Sequence, residues 1–411
     1  MMQETENIKE LFQKEFSKIV AVISRQFGLQ HMEIAEDIVS ETFLQALETW
    51  KAKGTPANPT AWLYTVAQRK TLYHFRRGKI FERKIVPNLK LDQEKNEEMA
   101  AIDFSPQNIK DSQLQMLFAV CNPAIAGEAQ IGLALRILCG FSVEEIAEAF
   151  LSNEETIKKR LFRAKEKLRT DKIKMELPPK NEIEQRTDSV LHIIYLLFTE
   201  GYYSKTQNEV LRKDFCLEAM RLCLLLTEYG ETNLPKTNAL LALMCFHASR
   251  FKARLASDDT HILYENQNQE LWDAALITRG THFLRLSATG SDLTAYHVEA
   301  RIASLHCQKE DGREKWEKIL QLYNQLLFLN YSPAVALNRT FALYKVYGAQ
   351  AALAEAVKLK LDGNYYYFIL MGELYKNADS ENAKTCFLKA FALARNDTDR
   401  QVLQNKIDNL D

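Results

Sequence analysis

The chain has 411 residues, 46% of them hydrophobic, and a formal net charge of −1. That length supports two or three domains, each with its own core. Residues 1–180 carry 27 Lys+Arg against 25 Asp+Glu, and 181–411 carry 26 against 29, which excludes polyanion binding by bulk charge and leaves only local surfaces.

Taken in chain order, the first element is a helix. Ile8, Leu11, Phe12, Phe16, Ile19, Val20, Ile23 and Phe27 recur at steps of three and four, and Gly28 ends the run. A second stripe follows in Ala35, Val39, Phe43, Ala46, Leu47 and Trp50, broken by Gly54 and two prolines. Asn58 before Pro59 is a helix start, a capping side chain ahead of a proline in the first turn. This third helix carries Trp62, Leu63 and Val66 and then turns basic. The charged stretch 82–110 reads as a linker, and helical pattern resumes near Asp111. "PPKN" at 178–181 is another break. From 182 onward the pattern is helical, with turns expected at Gly201, Gly230, Gly280, Gly312 and Gly348. No strand alternation is evident, so the fold class is all-α.

Residues 140–169, "GFSVEEIAEAFLSNEETIKKRLFRAKEKLR", hold two short helices and a tight turn. Ser142 with Glu145 forms a capping box, and Ser152 with Glu155 suggests a second. Val143, Ile146, Ala147 and Phe150 face inward on the first helix; Ile157, Leu161, Ala164 and Leu168 do so on the second. This is the helix-turn-helix plan. At about 100° per residue, Glu155, Thr156, Lys159, Phe162, Arg163 and Glu166 point outward, with Lys158, Arg160, Lys165, Lys167 and Arg169 beside them. Residues early in such a helix reach base edges, while flanking Lys and Arg meet phosphates.

Two upstream stretches complete the pattern. In "AEDIVSETFLQALETW" (35–50) the face opposite the apolar stripe shows Asp37, Glu41, Leu44 and Glu48, which suits a basic partner helix. In "NPTAWLYTVAQRKTLYHFRR" (58–77) the apolar pair Trp62-Leu63 leads into Arg69, Lys70, Arg76 and Arg77, with Tyr64 and Tyr73 interleaved. Cations among aromatics suit nucleic acid with exposed bases, because rings stack on bases while cations meet phosphates.

These stretches, their order and the helix-turn-helix downstream resemble an RNA polymerase sigma factor of the extracytoplasmic-function group (sigma-70 family, sigma-24-like). "IKDSQLQMLFAVCNPAI", "YLLFTEGYYS", "ALLALMCFHASRFKAR" and "VALNRTFALYKVYG" resemble the subgroup with a long tetratricopeptide-like C-terminal extension. The resemblance implies a region-two-like domain over 1–81, a linker over 82–110, a region-four-like domain over 111–177 and a regulatory extension over 178–411. It implies partners in the clamp and flap of core RNA polymerase and in promoter DNA, with the extension contacting the sigma domains intramolecularly. Asp37, Glu41, Leu44 and Glu48 then fall on the core-binding face. Trp62, Tyr64, Arg69, Lys70, Tyr73, Arg76 and Arg77 fall on the −10 face, and Glu155, Thr156, Lys158, Lys159, Arg160 and Arg163 on the −35 face. Arg69 and Tyr73 stand where the family usually has Asn and Asp.

In the tail, Gly372 and Tyr375 lie three apart, and Ala383, Phe387 and Ala390 follow at i, i+4 and i+7. That spacing lets two antiparallel helices nest, as in a tetratricopeptide repeat; 314–346 offers a second, weaker pair. In "FTEGY", Gly201 reads as a helix C-cap with Tyr202 packed behind it. The alternative is a regulatory contact through Glu200, Gly201 and Tyr202. Trp272, Trp316 and the aromatics of 364–368 read as core.

The seven cysteines, Cys121, Cys139, Cys216, Cys223, Cys245, Cys307 and Cys386, make no CxxC pair and read as buried thiols of a reducing cytoplasm. The eight histidines lack metal-ligand spacing. No cofactor or metal is expected. The polar start is no signal peptide, and no uncharged run reaches the ~18 apolar residues of a membrane span. Without a Gly-rich phosphate loop, nucleophile elbow or HExxH motif, no enzymatic activity is expected. A helix-turn-helix regulator with a helical sensor domain is the alternative reading; it leaves 35–77 unexplained. A scaffold with a solvated basic helix is a third.

Overall fold

Three- and four-residue apolar spacing becomes helix throughout. A computed structural model describes residues 2–85, 101–150, 152–202, 209–254, 262, 266–394 and 397–410, and among these there is no strand. The chain divides into two compact units, 1–233 and 234–411.

The first unit holds nine helices among its described residues: α1 Met2–Phe27, α2 Met32–Lys53, α3 Pro59–Ile85, α4 Pro106–Val120, α5 Gly127–Leu133, α6 Val143–Ala149, α7 Glu154–Thr170, α8 Lys180–Tyr202 and α9 Glu209–Thr227. The anticipated core is present: Phe16, Ile19, Val20, Ala35, Val39, Phe43, Ala46 and Leu63 are buried. α1 packs on α2, α3 and α4, so the N-terminal hairpin and the later helices share one body. Val22 meets Ile102 and Ile109 at that junction, and Gln113 donates to the buried Ser17 hydroxyl at 3.2 Å.

Helix α4 begins earlier than Asp111. Ser105 caps it, with Pro106 in the first turn, a combination that ends an extended lead-in. Residues 86–100 of the expected linker lie outside the described residues. After α5 the chain widens into a π-helical turn over Ala134–Leu138. Gly140 follows at φ +75°, a left-handed conformation that side chains rarely adopt, and lies close against the backbone of α1 at Gln13.

The second unit contains α10 Pro235–Ala248, α11 Phe251–Arg254, α12 Ala274–Ser287, α13 Ala295–His306, α14 Arg313–Leu329, α15 Pro333–Tyr347, α16 Ala349–Ala356, α17 Tyr365–Tyr375, α18 Ser380–Leu393 and α19 Asp397–Asp408. Gly312 and Gly348 flank helices as expected. Gly280 does not make a turn. It lies inside α12, where a Cβ would sit 2.9 Å from the Phe246 ring, so the small residue serves close approach of α12 to α10. Gly372 does the same for α17 and α18: its Cβ would lie 2.5 Å from the Phe387 ring. Ala383, Phe387 and Ala390 are fully buried around it. Trp272, Trp316, Tyr367 and Phe368 are core, whereas Tyr366 is exposed.

Candidate nucleic-acid interface

Helices α2 and α3 form a hairpin with two contrasting outer faces. On α2, Asp37, Glu41, Leu44 and Glu48 are all exposed, and Leu44 keeps 59% of its surface in solvent. An apolar side chain left that open within an acidic face is a feature of a contact surface. On α3, Arg69, Tyr73, Arg76 and Arg77 are exposed, and the three arginines make no ion pair with the described residues. Lys70 joins the two faces: its ammonium lies 3.1 Å from the Glu41 carboxylate. Trp62 is half-buried, its ring edge-on to Trp50 at 5.4 Å, which fixes the hairpin where the chain enters α3.

Tyr64 departs from the expectation that placed it on the nucleic-acid face. It lies on the side of α3 that packs toward α1. Its hydroxyl donates to Glu15 at 2.5 Å and its ring stacks on Phe104 at 4.8 Å. Burial, reinforced by Glu15, pushes its pKa well above the usual tyrosine range. The residue is a structural tie between α3, α1 and the entry to α4.

The helix-turn-helix is built as its sequence requires, with one change. Ser142 Oγ accepts from the Glu145 backbone and Glu145 accepts from the Ser142 backbone, closing the first capping box. The second box does not form. Asn153 caps α7 instead, its amide oxygen accepting from Thr156 N at 2.8 Å. Asn is as good a cap as Ser, and it stands one residue nearer the helix. Ile157, Leu161, Ala164 and Leu168 are buried as the inner stripe.

The outer face of α7 is open. Glu155, Thr156, Lys158, Lys159, Phe162 and Arg163 are exposed. The helix carries seven Lys+Arg and three Glu over 154–170. Lys158 and Lys159 pair with Glu154 and Glu155 one turn back, at 2.7 and 2.6 Å. Exposed pairs of this kind are weak and salt-screened, so both lysines stay available to a stronger anion. Arg163 makes no ion pair among the described residues. Arg160 is half-buried and reaches Glu128 of α5 at 3.0 Å. Lys165 turns back into the unit and pairs with Glu36 of α2.

Helices α8 and α9 brace this domain from behind. Arg186 of α8 donates to the Phe118 carbonyl at 2.8 Å, and Arg221 of α9 donates to the Leu138 carbonyl at 2.7 Å. Leu138 closes the π-helical turn, whose carbonyls lack their ordinary helical partners. Phe215 of α9 packs edge-on against Phe141 at 4.5 Å. Helix α8 runs through Gly201 to Tyr202, so Gly201 does not cap it; both residues are buried, and Tyr202 stacks on Phe198. Glu200 is half-exposed.

The other chemistry-bearing groups are quiet. Six cysteines are buried and Cys386 is half-buried, all as free thiols. Burial pushes Cys121 and Cys245 up to about 12, far from a reactive thiolate. No group of described residues could hold a metal ion, and no described helix is long and apolar enough to cross a membrane.

Sequence reasoning missed Glu36, Arg136, Arg186 and Arg221. The available signal was a lone arginine inside an apolar run, as in "IGLALRILCG" and "EAMRLCLLL". A charge there must be buried with a partner, because an unpaired one costs too much.

Comparison with known proteins matches this architecture segment by segment. Residues 11–80 match Sigma-70 region 2, residues 133–168 match Sigma-70, region 4, and residues 186–288 match a family of unknown function, DUF6596. No solved structure matches the chain. An uncharacterized protein, R00370, of Rhizobium meliloti (strain 1021) is 34% identical over 385 residues, which cover 93% of this chain and 91% of that protein. The chain belongs to the family of that protein, and its own Sigma-70 regions 2 and 4, followed by a helical C-terminal part, support a sigma-factor role in transcription initiation with core RNA polymerase and promoter DNA as partners.

Proposed function

We propose that the chain is an alternative sigma factor of the extracytoplasmic-function group that carries its own regulator. The α2 face of Asp37, Glu41, Leu44 and Glu48 docks on the polymerase clamp. Arg69, Lys70, Tyr73, Arg76 and Arg77 of α3, with Trp62 at its start, engage the melted −10 element, where bases are free to stack. Tyr64 is left out of this set because its ring and hydroxyl are already engaged. Glu155, Thr156, Lys158, Lys159 and Arg163 of α7 engage the −35 element in the major groove, with Arg160 at the margin.

The observation that carries this reading is the open edge of α7. Thr156, Lys159 and Arg163 lie one turn apart on the exposed side of a helix whose opposite side is sealed into the domain. A helix so mounted presents its first three turns to a groove.

The regulator is the helical part behind the region-four match. Nesting of Gly372 against Phe387, with Ala383 and Ala390 beside it, supports a tetratricopeptide-like pair at α17–α18. The bracing of the helix-turn-helix by α8 and α9 favours counting that hairpin with the promoter-reading part. The separable regulator would then begin near residue 234 rather than 178. Tyr202 serves packing in this scheme.

The test is run-off transcription with bacterial core polymerase on promoter DNA from the protein's own genome, comparing the full chain with a chain ending at Asn233. Transcripts that depend on the added protein, and that are lost on Lys159→Ala with Arg163→Ala, are expected. Absence of any transcript, together with no co-purification with core polymerase, would sink the reading. The shorter chain reports the sign of the regulator's effect.

A further inference from the structure

A cleft of about 300 Å³ opens in the first unit between the end of α4, the segment that follows α7 and the start of α8. Its lining is of two kinds. Phe118, Ile173, Leu177 and Pro178 make it largely apolar, and Lys172, Lys174 and Arg186 bring three cations to it. Glu176 and Glu182 also border it. Lys174 and Glu176 lie 4.0 Å apart and offset one another in charge. Lys172 and Arg186 are then set against the single charge of Glu182, so the cleft carries a surplus of one positive charge. A space of this size, mostly apolar with a few convergent polar groups, is the usual form of a small-molecule site.

The polar groups in the cleft are donors with capacity to spare. Arg186 Nη2 donates to the Phe118 carbonyl at 2.8 Å, while Nε is shut off from solvent and has no hydrogen-bond partner among the described residues. A buried N–H left unmet is costly, and in a cleft it marks a place for an acceptor. Asn122 uses its side-chain oxygen to accept from Ala124 N at 3.0 Å, and its amide NH2 makes no hydrogen bond among the described residues. The 23-residue helix α8 starts at the same place. Pro179, the residue before it, has no side-chain oxygen to cap it, so its positive end is open to an anion.

Lys172 adds an observation from the backbone. Helix α7 ends in a Schellman turn, in which Ile173 N donates to the Leu168 carbonyl at 3.0 Å and Lys172 N to the Arg169 carbonyl at 3.1 Å. The left-handed residue of that turn is Lys172, at φ +52°. Glycine is usual there, because any side chain is strained in that conformation. Lys172 also makes no ion pair among the described residues. A lysine standing where glycine fits better breaks a local rule, and such breaks gather at functional sites.

We propose that this cleft binds a small organic carboxylate. The charged end is held by Arg186, Lys172 and the Asn122 amide, and the apolar body lies against Phe118, Ile173, Leu177 and Pro178. The planar guanidinium matches a carboxylate. A doubly charged phosphate is disfavoured, since the surplus is one charge and Glu182 stands at the border. An occupied cleft ties the segment that ends α7 to α8. The site goes beyond the sigma-factor reading and does not depend on it.

The test is calorimetric titration of the full chain with benzoate, hexanoate and inorganic phosphate, in wild type, Lys172→Gly and Glu182→Gln. Both substituted side chains are exposed. Without ligand, Lys172→Gly should melt no lower than wild type, because glycine takes the left-handed conformation freely. Expected is saturable binding of at least one of the two carboxylates, and no binding of phosphate over the same range. Lys172→Gly should weaken that binding at least about tenfold, the loss of one charge-assisted hydrogen bond. Glu182→Gln should tighten it, because a like charge leaves the border. Absence of saturable binding by either carboxylate up to about 10 mM would overturn the proposal. So would binding that both variants leave unchanged, which places the site elsewhere. Phosphate bound as tightly as the carboxylates would overturn the ligand class. A lower melt for unliganded Lys172→Gly would assign the lysine to the fold and remove it from the site.

Discussion

The two units are both all-helical, but they are held together in different ways. In the first, side chains tie residues far apart in sequence: Arg25 to Asn108, Arg136 to Glu36, Arg186 to Phe118 and Tyr229 to Asp111. Helix α1 packs on α4 and on the π-helical turn, and α9 packs on α4 and α6. In the second, α10 packs on both α12 and α13, and beyond that start packing runs mostly between neighbours in sequence, α13 on α14, α14 on α15, α17 on α18 and α18 on α19. Its apolar clusters are correspondingly local, one around Trp316 and Ile319 and another around Phe387 and Met371. The first unit is a body closed by long-range contacts; the second behaves as a row, in which each element leans on the next. Damage should therefore spread through the first and stay local in the second.

The largest effect comes from cutting the first unit. A chain ending at residue 180 keeps both sigma-70 matches but loses α8 and α9. It strips Phe141 of Phe215 and leaves the Phe118 and Leu138 carbonyls without their arginines. Apolar side chains that α8 and α9 cover, Phe141 among them, are bared to water at roughly 1.5–3 kcal/mol for each large one, against a typical domain stability of about 5–15 kcal/mol. Loss of a cooperative thermal transition and aggregation are expected for that chain, whereas one ending at Asn233 should melt cooperatively. Equal melts for both would remove the distinction drawn here.

In the second unit the counterpart is Phe387→Ala. The ring is fully buried against Gly372, Ala383 and Ala390, and truncating such a side chain costs about 3–5 kcal/mol. In a row, the cost should fall on α17 to α19. Amide hydrogen exchange should show lost protection there and unchanged protection over 2–85 and 101–202. Loss of protection throughout the second unit would make it a single cooperative body.

Much of this was legible in the sequence, and the failures have physical causes. Periodicity found the helices because each buries one stripe, and the Ser142–Glu145 box was readable because both halves of a cap are local. Asn153 displaced Ser152 because two adjacent residues can each cap and backbone geometry chooses between them. Gly280 and Gly201 were misread as turns: glycine marks either a turn or a close approach, and only the facing residue decides which. For Gly280 that residue is Phe246, 34 positions earlier. Tyr64 was misassigned because tyrosine suits both a base stack and a buried hydrogen bond. The partner that decides, Glu15, lies on another helix. The pairing of Glu36 with Arg136 and Lys165 was invisible because its three members are local to nothing but one another.

The smallest effect separates the units by pH. Among the described residues the histidines with depressed pKa values, His247, His297 and His306, all belong to the second unit. For His306 the cause is burial first, then the charges of Arg250 and Lys315, and its value falls to about 3. The unfolded chain binds a proton near pH 6.5, while the folded chain resists it until about pH 3. Between those values the unfolded state holds more protons, so stability falls as pH falls. The contribution is fully present above pH 6.5 and is lost progressively below it. At pH 5.5 His306 alone should cost roughly 1 kcal/mol, and His247, which shifts the same way, should add to it. Hydrogen exchange at pH 7.5 and 5.5, corrected for intrinsic rates, should then show the second unit losing protection around α10, α13 and α14. His306→Gln should flatten that dependence. A pH response of equal size in the first unit would mean that the units do not titrate apart, and the contrast between a closed body and a row would have to rest on packing alone.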